Sequence, residues 1–266
     1  MRTSEWIIVS YLAYLAVLAW ILPLPARRRR VVTLVGIADI ACVWWLSMPR
    51  SAFGAVARDW LPALQILIGY WLSGAFFLRP MPRVEAWLAS WDRWLFDQLG
   101  AGQLALRGPR LLLEYLELAY LTVYLLVPLG FGVAYWLAPR LDVDRYWTIV
   151  LLAELACYGM LPWVQTRPPR ALRLHAAIED RRVAIHRLNG LVLKLGSIQV
   201  NTFPSGHAAG AFATALAVAE FVPAALVPFL VLAASITVGS VIGRYHYAAD
   251  SLIGGIVAVL AWAAVR

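Results

Sequence analysis

Charge is what this chain has least of. Only 14% of its 266 residues are Asp, Glu, Lys or Arg, against about a quarter in soluble domains, while 62% are hydrophobic and the mean hydropathy is +0.72. That balance excludes a soluble globular domain and defines an integral membrane protein. Lysine is nearly absent: Lys194 stands alone against 22 arginines, so the net charge of +8 is carried by Arg clustered at segment ends. Such clusters suit phosphate head groups and membrane lipids better than an extended basic surface, and nucleic acid is not expected as a partner. Cysteine is scarce too. Cys42 and Cys157 fall inside apolar runs and read as small buried hydrophobes, which excludes a disulfide framework. With four histidines and no His, Cys, Asp or Glu cluster at metal-ligand spacing, neither a metal nor another cofactor is expected.

Apolar runs are abundant instead. Eight stretches near 5–24, 31–47, 60–78, 111–137, 147–163, 206–221, 223–243 and 249–265 approach the about 20 residues a spanning helix needs. The fold class is therefore all-α, a polytopic transmembrane helix bundle. The second stretch is the weakest, being short and carrying Asp39. The first lacks a small-residue cleavage site before the 27–30 arginine cluster and reads as a retained span. Trp44, Trp45, Trp60, Trp136, Trp147 and Trp163 recur near segment ends, as in an interfacial aromatic belt. Between the third and fourth stretches, Val84, Trp87, Leu88, Trp91, Leu95 and Leu99 repeat at helical spacing with Glu85, Asp92, Arg93 and Asp97 between them. This segment should lie in the membrane interface. The charged connection 164–205 should form one or two surface helices over the mouth of a site.

The chemistry concentrates in two segments, Phe203-Pro204-Ser205-Gly206-His207 and Arg244-Tyr245-His246-Tyr247-Ala248-Ala249-Asp250. In the first, a helix from Gly206 to about Phe221 would place Ser205 near its N-cap and leave the N–H groups of Gly206 and His207 facing an anion, with Gly206 allowing close backbone approach. In the second, Asp250 follows His246 by four residues, so on a helix the two share a face, as in a histidine nucleophile with its orienting carboxylate.

Pro-Ser-Gly-His followed by His-x-x-x-Asp, with Arg167-Pro168 upstream, resembles the type-2 phosphatidic acid phosphatase superfamily over roughly residues 110–266. The resemblance implies a six-helix catalytic core, taken as residues 60–266, with 1–59 as an N-terminal membrane-spanning extension. It implies a membrane-embedded, metal-independent phosphatase acting on a lipid-linked phosphate or pyrophosphate through a phosphohistidine intermediate. His246 would be the nucleophile, His207 the general acid and then base, and Asp250 the orienting carboxylate. The chain departs from the common pattern at Met160 and Ser240, where a Lys and an Arg are usual. Pro168-Pro169-Arg170 and Arg244-Tyr245-His246-Tyr247 resemble instead the inositol phosphorylceramide and sphingomyelin synthase branch. Arg170 and Arg244 are then the expected phosphate ligands with Ser205, Gly206 and a weaker Arg167, and transfer of a phospho-head group to an alcohol is the alternative reaction.

A non-catalytic membrane binding or transport protein of the same fold is disfavoured because both histidines and Asp250 are intact. A soluble vanadate-dependent haloperoxidase shares the site pattern, but eight apolar stretches argue against it. Glu117, Tyr120 and Tyr124, closed by Pro128, read as an interhelical hydrogen-bond network with a proline kink ahead of a head-group pocket, and Glu154 with Tyr158 reads similarly. His175 and His186 read as solvated loop residues. The expected location is the plasma membrane. With eight spans the 27–30 arginines would share a side with the site and put it in the cytoplasm, whereas a re-entrant 31–47 would restore the outer face usual for the family; the outer face is preferred.

Overall fold

The computed structural model describes residues 1–48, 51–173 and 184–266. His175, Arg181 and Arg182 lie outside the described residues. Among the described residues thirteen α-helices follow one another: α1 (Thr3–Ile21), α2 (Ala26–Ser47), α3 (Ala52–Gly74), α4 (Pro82–Arg93), α5 (Ala101–Arg107), α6 (Arg110–Leu121), α7 (Val123–Leu137), α8 (Val143–Gly159), the single turn α9 (Pro169–Leu172), α10 (Ala184–Gly196), α11 (Gly206–Phe221), α12 (Leu226–Ile242) and α13 (Ala248–Ala264). A π-helical segment, Trp94–Gln98, extends α4. One isolated bridge, Thr166 with Asn201, is the only β pairing among the described residues.

Helix α11 is the axis of the bundle. Ala208, Ala209, Ala211, Ala213, Ala215 and Ala217 are all buried, so the helix is small and apolar all round, and α7, α8, α12 and α13 close upon it. One apolar core runs on without a break from Leu12 and Leu15 of α1 through Leu151 of α8 to Ala258 of α13.

Among the described residues, three helices are long and apolar enough to cross a membrane: Thr3–Ile21, Ala26–Ser47 and Pro223–Ile242. The second stretch is thus stronger than its sequence suggests. Helix α2 is 22 residues long, and Gln65 of α3 donates through Nε2 to Asp39 Oδ1 over 2.8 Å, leaving Oδ2 buried without a hydrogen-bond partner. The fourth stretch is not one straight helix: α6 and α7 meet at 65° around Thr122. The bend falls in the region preceding Pro128, which supplies no N–H to the carbonyl of Tyr124 and crowds that turn. Trp147 is no belt residue either. It is wholly buried, its indole N–H donating to the Asp59 carbonyl, whereas Trp44, Trp45, Trp136 and Trp163 are exposed. Cys157 is buried and Cys42 half-buried, both free.

Helix α4 lies outside the apolar spans, and its buried face is turned away from its row of tryptophans while still including Leu88. Glu85, Leu88, Ala89 and Asp92 are buried, while Trp87, Trp91 and Trp94 project outward. The acids turn inward because arginines wait there. Arg167 grips Glu85 through Nε at 3.0 Å and Nη2 at 2.8 Å, and Arg244 lies against Asp92. The exposed tryptophans suit the membrane interface.

Candidate active site

Three separate stretches of chain are tied to one another by main-chain bonds. Asn201 N–H donates to the Thr166 carbonyl over 2.9 Å, Arg170 N–H to that of Arg244 over 3.2 Å, and Ser205 N–H to that of Asp250 over 3.0 Å. This converts sequence distance into a cleft. His207, at the start of α11, and His246, just before α13, face each other with ring centroids 5.3 Å apart. Nδ1 of His246 lies 3.5 Å from Oδ2 of Asp250 in the first turn of α13, so Nε2 is the ring nitrogen left for chemistry. Tyr70, Tyr120, Arg170, Thr202 and Tyr245 line the same cleft.

Asn201, not anticipated from the sequence, donates to Asp250 Oδ2 over 2.7 Å, and Ser251 donates to Oδ1 over 3.2 Å. The carboxylate is therefore oriented from both sides. Asn201 and Thr202 stand directly before Phe203-Pro204, and a polar pair at the edge of an apolar run was the available signal. Tyr70 lies inside an apolar helix and had none.

Of the five residues expected to bind phosphate, only Arg170 reaches the cleft. Ser205 is fully buried as the N-cap of α11, its hydroxyl accepting from Ala208 N–H over 3.3 Å. The Gly206 N–H is taken by Thr202 Oγ1 at 3.2 Å, leaving that of His207. Gly206 is glycine for packing, because a Cβ there would run into the Tyr158 ring. Arg167 is committed to Glu85. Burial pushes the Glu85 carboxyl up, but the hydrogen bonds and charge of Arg167 outweigh it and hold the group below the usual carboxylate range.

Arg244 is the larger correction. It is wholly buried in a left-handed backbone conformation, φ 64°, with its guanidinium 4.5 Å above the Phe96 ring and Nη1 2.7 Å from Asp92 Oδ2. The approach is close but off the hydrogen-bond axis, so charge and ring stacking hold it. Asp92 Oδ1 in turn accepts the Ala248 N–H at 2.9 Å, capping the helix that carries Asp250. Burial pushes Asp92 above the usual range, and the Arg244 charge pulls against it.

The Glu117–Tyr124 face divides its duties. Glu117 is a buried hub: His186 Nδ1 lies 2.9 Å from Oε1, while Tyr245 OH and Asn189 Nδ2 donate to Oε2 over 2.6 and 2.8 Å. His186 is thus a helix residue holding α10 over the cleft, not a solvated loop residue. Tyr120 and Tyr124 instead stand 5.8 Å, ring to ring, from His207. Beyond His207 opens a cavity of about 240 Å³, walled by Ile66, Leu67, Val123, Val127 and Pro128 and containing the Glu154–Tyr158 pair. Among the described residues, no three His, Cys, Asp or Glu side chains converge as a ligand set.

Fold and composition together define a helical membrane-bundle protein. A family model described as the PAP2 superfamily matches residues 86–264, more than half of the chain, and the chain belongs to that superfamily, the type-2 phosphatidic acid phosphatases. Membership carries a phosphatase- or phosphotransferase-type function. No curated protein and no solved structure matches the chain.

Proposed function

We propose that this protein is a metal-independent phosphatase or phosphotransferase for a lipid-linked phosphate, working through a phosphohistidine. The observation that carries the reading is the meeting of His207, His246 and Arg170 at one cleft, with an apolar cavity opening beside His207. Asp250 holds the Nδ1–H of neutral His246, so Nε2 attacks phosphorus as an N–P bond forms and the P–O bond to the leaving group breaks. The departing oxygen takes a proton from His207. Because His207 borders the apolar cavity, that oxygen belongs to the lipid side of the substrate. In the second step His207 removes a proton from water or an alcohol whose oxygen replaces the histidine on phosphorus. Arg170 and the His207 N–H offset charge on the equatorial oxygens. Asp92, Arg244, Ser205 and Glu85 with Arg167 act by positioning these segments.

Arginine bias supports one side of the membrane for the site. Helix α2 is long and apolar enough to span, which favours a full crossing over a re-entrant 31–47, and Arg28 donates to the Ala75 and Phe77 carbonyls just beyond α3, near the Gln165 contacts that lead into the site. The 27–30 cluster and the arginines of 79–110 therefore gather at the catalytic end. By the positive-inside rule this supports a cytoplasmic site.

The test is a screen of lipid phosphates and pyrophosphates with purified protein, following free phosphate and transfer products with and without chelator. Turnover that survives chelator and is inhibited by vanadate is expected. Loss of turnover in chelator, restored by a divalent ion, overturns the histidine-only reading.

A further inference from the structure

The cleft has two neighbours of opposite character. On the His207 side lies the apolar cavity. On the other side, sharing Arg170, Leu193 and Tyr245 with the cleft, is an alcove of about 200 Å³ lined also by His186, Gly190, Lys194 and Gln199. Among the described residues its charge is one-sided. His186 is balanced by Glu117 and held by Tyr245, whereas Arg170 and Lys194, the chain's one lysine, have no acidic partner among the described residues. Gly190 adds an independent observation. It sits inside helix α10, where glycine costs on the order of 1 kcal/mol against alanine, and a Cβ there would meet no atom within 4 Å. Gly190 is exposed and borders the alcove, where a larger side chain has room.

We infer that this alcove is a second anion subsite, receiving a negatively charged group that the substrate carries beyond the reacting phosphoryl, such as a second phosphate. The inference rests on reading the cleft as the phosphoryl site, and it gives the substrate a direction. The tail lies in the apolar cavity, the reacting phosphorus sits between His207 and His246, and the further anion rests against Arg170 and Lys194. The two cations have different parts: Arg170 serves both compartments, and Lys194 serves the alcove alone. A simple lipid monophosphate leaves the alcove empty.

The experiment compares two non-hydrolysable probes with the same alkyl tail, a lipid monophosphonate and a lipid methylene-bisphosphonate, binding to the purified full chain in detergent. The bisphosphonate should bind about tenfold more tightly, and most of that preference should vanish in Lys194→Gln and in Gly190→Leu, the second of which fills the alcove while favouring the helix. Arg187→Gln, an equal charge change on the same helix outside the alcove, should keep it. Equal affinity of the two probes, or a preference that survives both alcove substitutions, overturns the subsite. Phosphate release from hydrolysable lipids is read separately. A bisphosphonate preference without any turnover keeps the subsite and discards the enzymatic reading, and turnover without a preference does the reverse.

Discussion

Arg244→Met should unfold this protein more readily without removing a substrate contact. Arg244 and Asp92 are both fully buried, 2.7 Å apart. Removing one partner of such a pair strands the other charge and typically costs about 3–5 kcal/mol, from a total stability of roughly 5–15 kcal/mol. In a chain of this size that is a fall in melting temperature on the order of 10 °C. Asp92 has an escape, since burial already raises its carboxyl and loss of Arg244 raises it further. A carboxyl with a folded-state pKa above its unfolded value favours the fold at low pH and loses that advantage as pH rises. The deficit of Arg244→Met against the parent should therefore be smaller at pH 5 than at pH 8. Asp92→Leu with Arg244→Met should recover most of the loss, short of the about 1 kcal/mol for the Ala248 N–H left without its acceptor. Thermal unfolding in detergent measures the parent and both variants, with lipid phosphate turnover read on the folded fraction. Unchanged melting of Arg244→Met together with a more than tenfold rise in apparent KM would refute the reasoning and put the guanidinium on the substrate.

Turnover of an activated aryl phosphate should vanish in His246→Ala and persist slowly in His207→Ala, because a good leaving group needs no proton; substantial rate in His246→Ala sinks the nucleophile assignment. Asn201→Ala should lower kcat about 10- to 100-fold with little change in KM, through a carboxylate that no longer holds His246, and a KM effect alone would count against a positioning role. Arg170→Lys should lower kcat on the order of 10²-fold, since a point ammonium cannot grip two phosphoryl oxygens as a planar fork does, and near-normal turnover would contradict it. A single Cys at exposed Leu195, with Cys42 and Cys157 replaced, should resist a membrane-impermeant thiol reagent in intact cells and react after lysis; labelling of intact cells would place the site outside.

The parts of the site that could be read from the sequence are those set by local geometry. Ser205 at a helix start follows from its place ahead of the apolar run, and the four-residue spacing keeps Asp250 within reach of His246, although His246 lies in the turn before α13 and not on the helix. Membrane residence was likewise legible, because composition alone decides whether the chain can satisfy water. What the spacing leaves open is where a long side chain goes. Arg244 stands two residues before His246, where a phosphate ligand was expected, yet a left-handed backbone at φ 64° and a carboxylate 152 positions earlier in the chain turn it away from the cleft. The periodicity of 84–99 showed an amphipathic helix, but its inner face was decided by Arg167 and Arg244, whose partners Glu85 and Asp92 had to be buried with them. His186, Asn189 and Glu117 meet only because α10 folds back over α6. The sequence by itself determined a membrane helix bundle and two histidine segments; which charges line the cleft and which hold the scaffold was decided by the tertiary structure. The physical reason is that a buried charge takes the nearest opposite charge, and nearness across helices is not written in spacing along the chain.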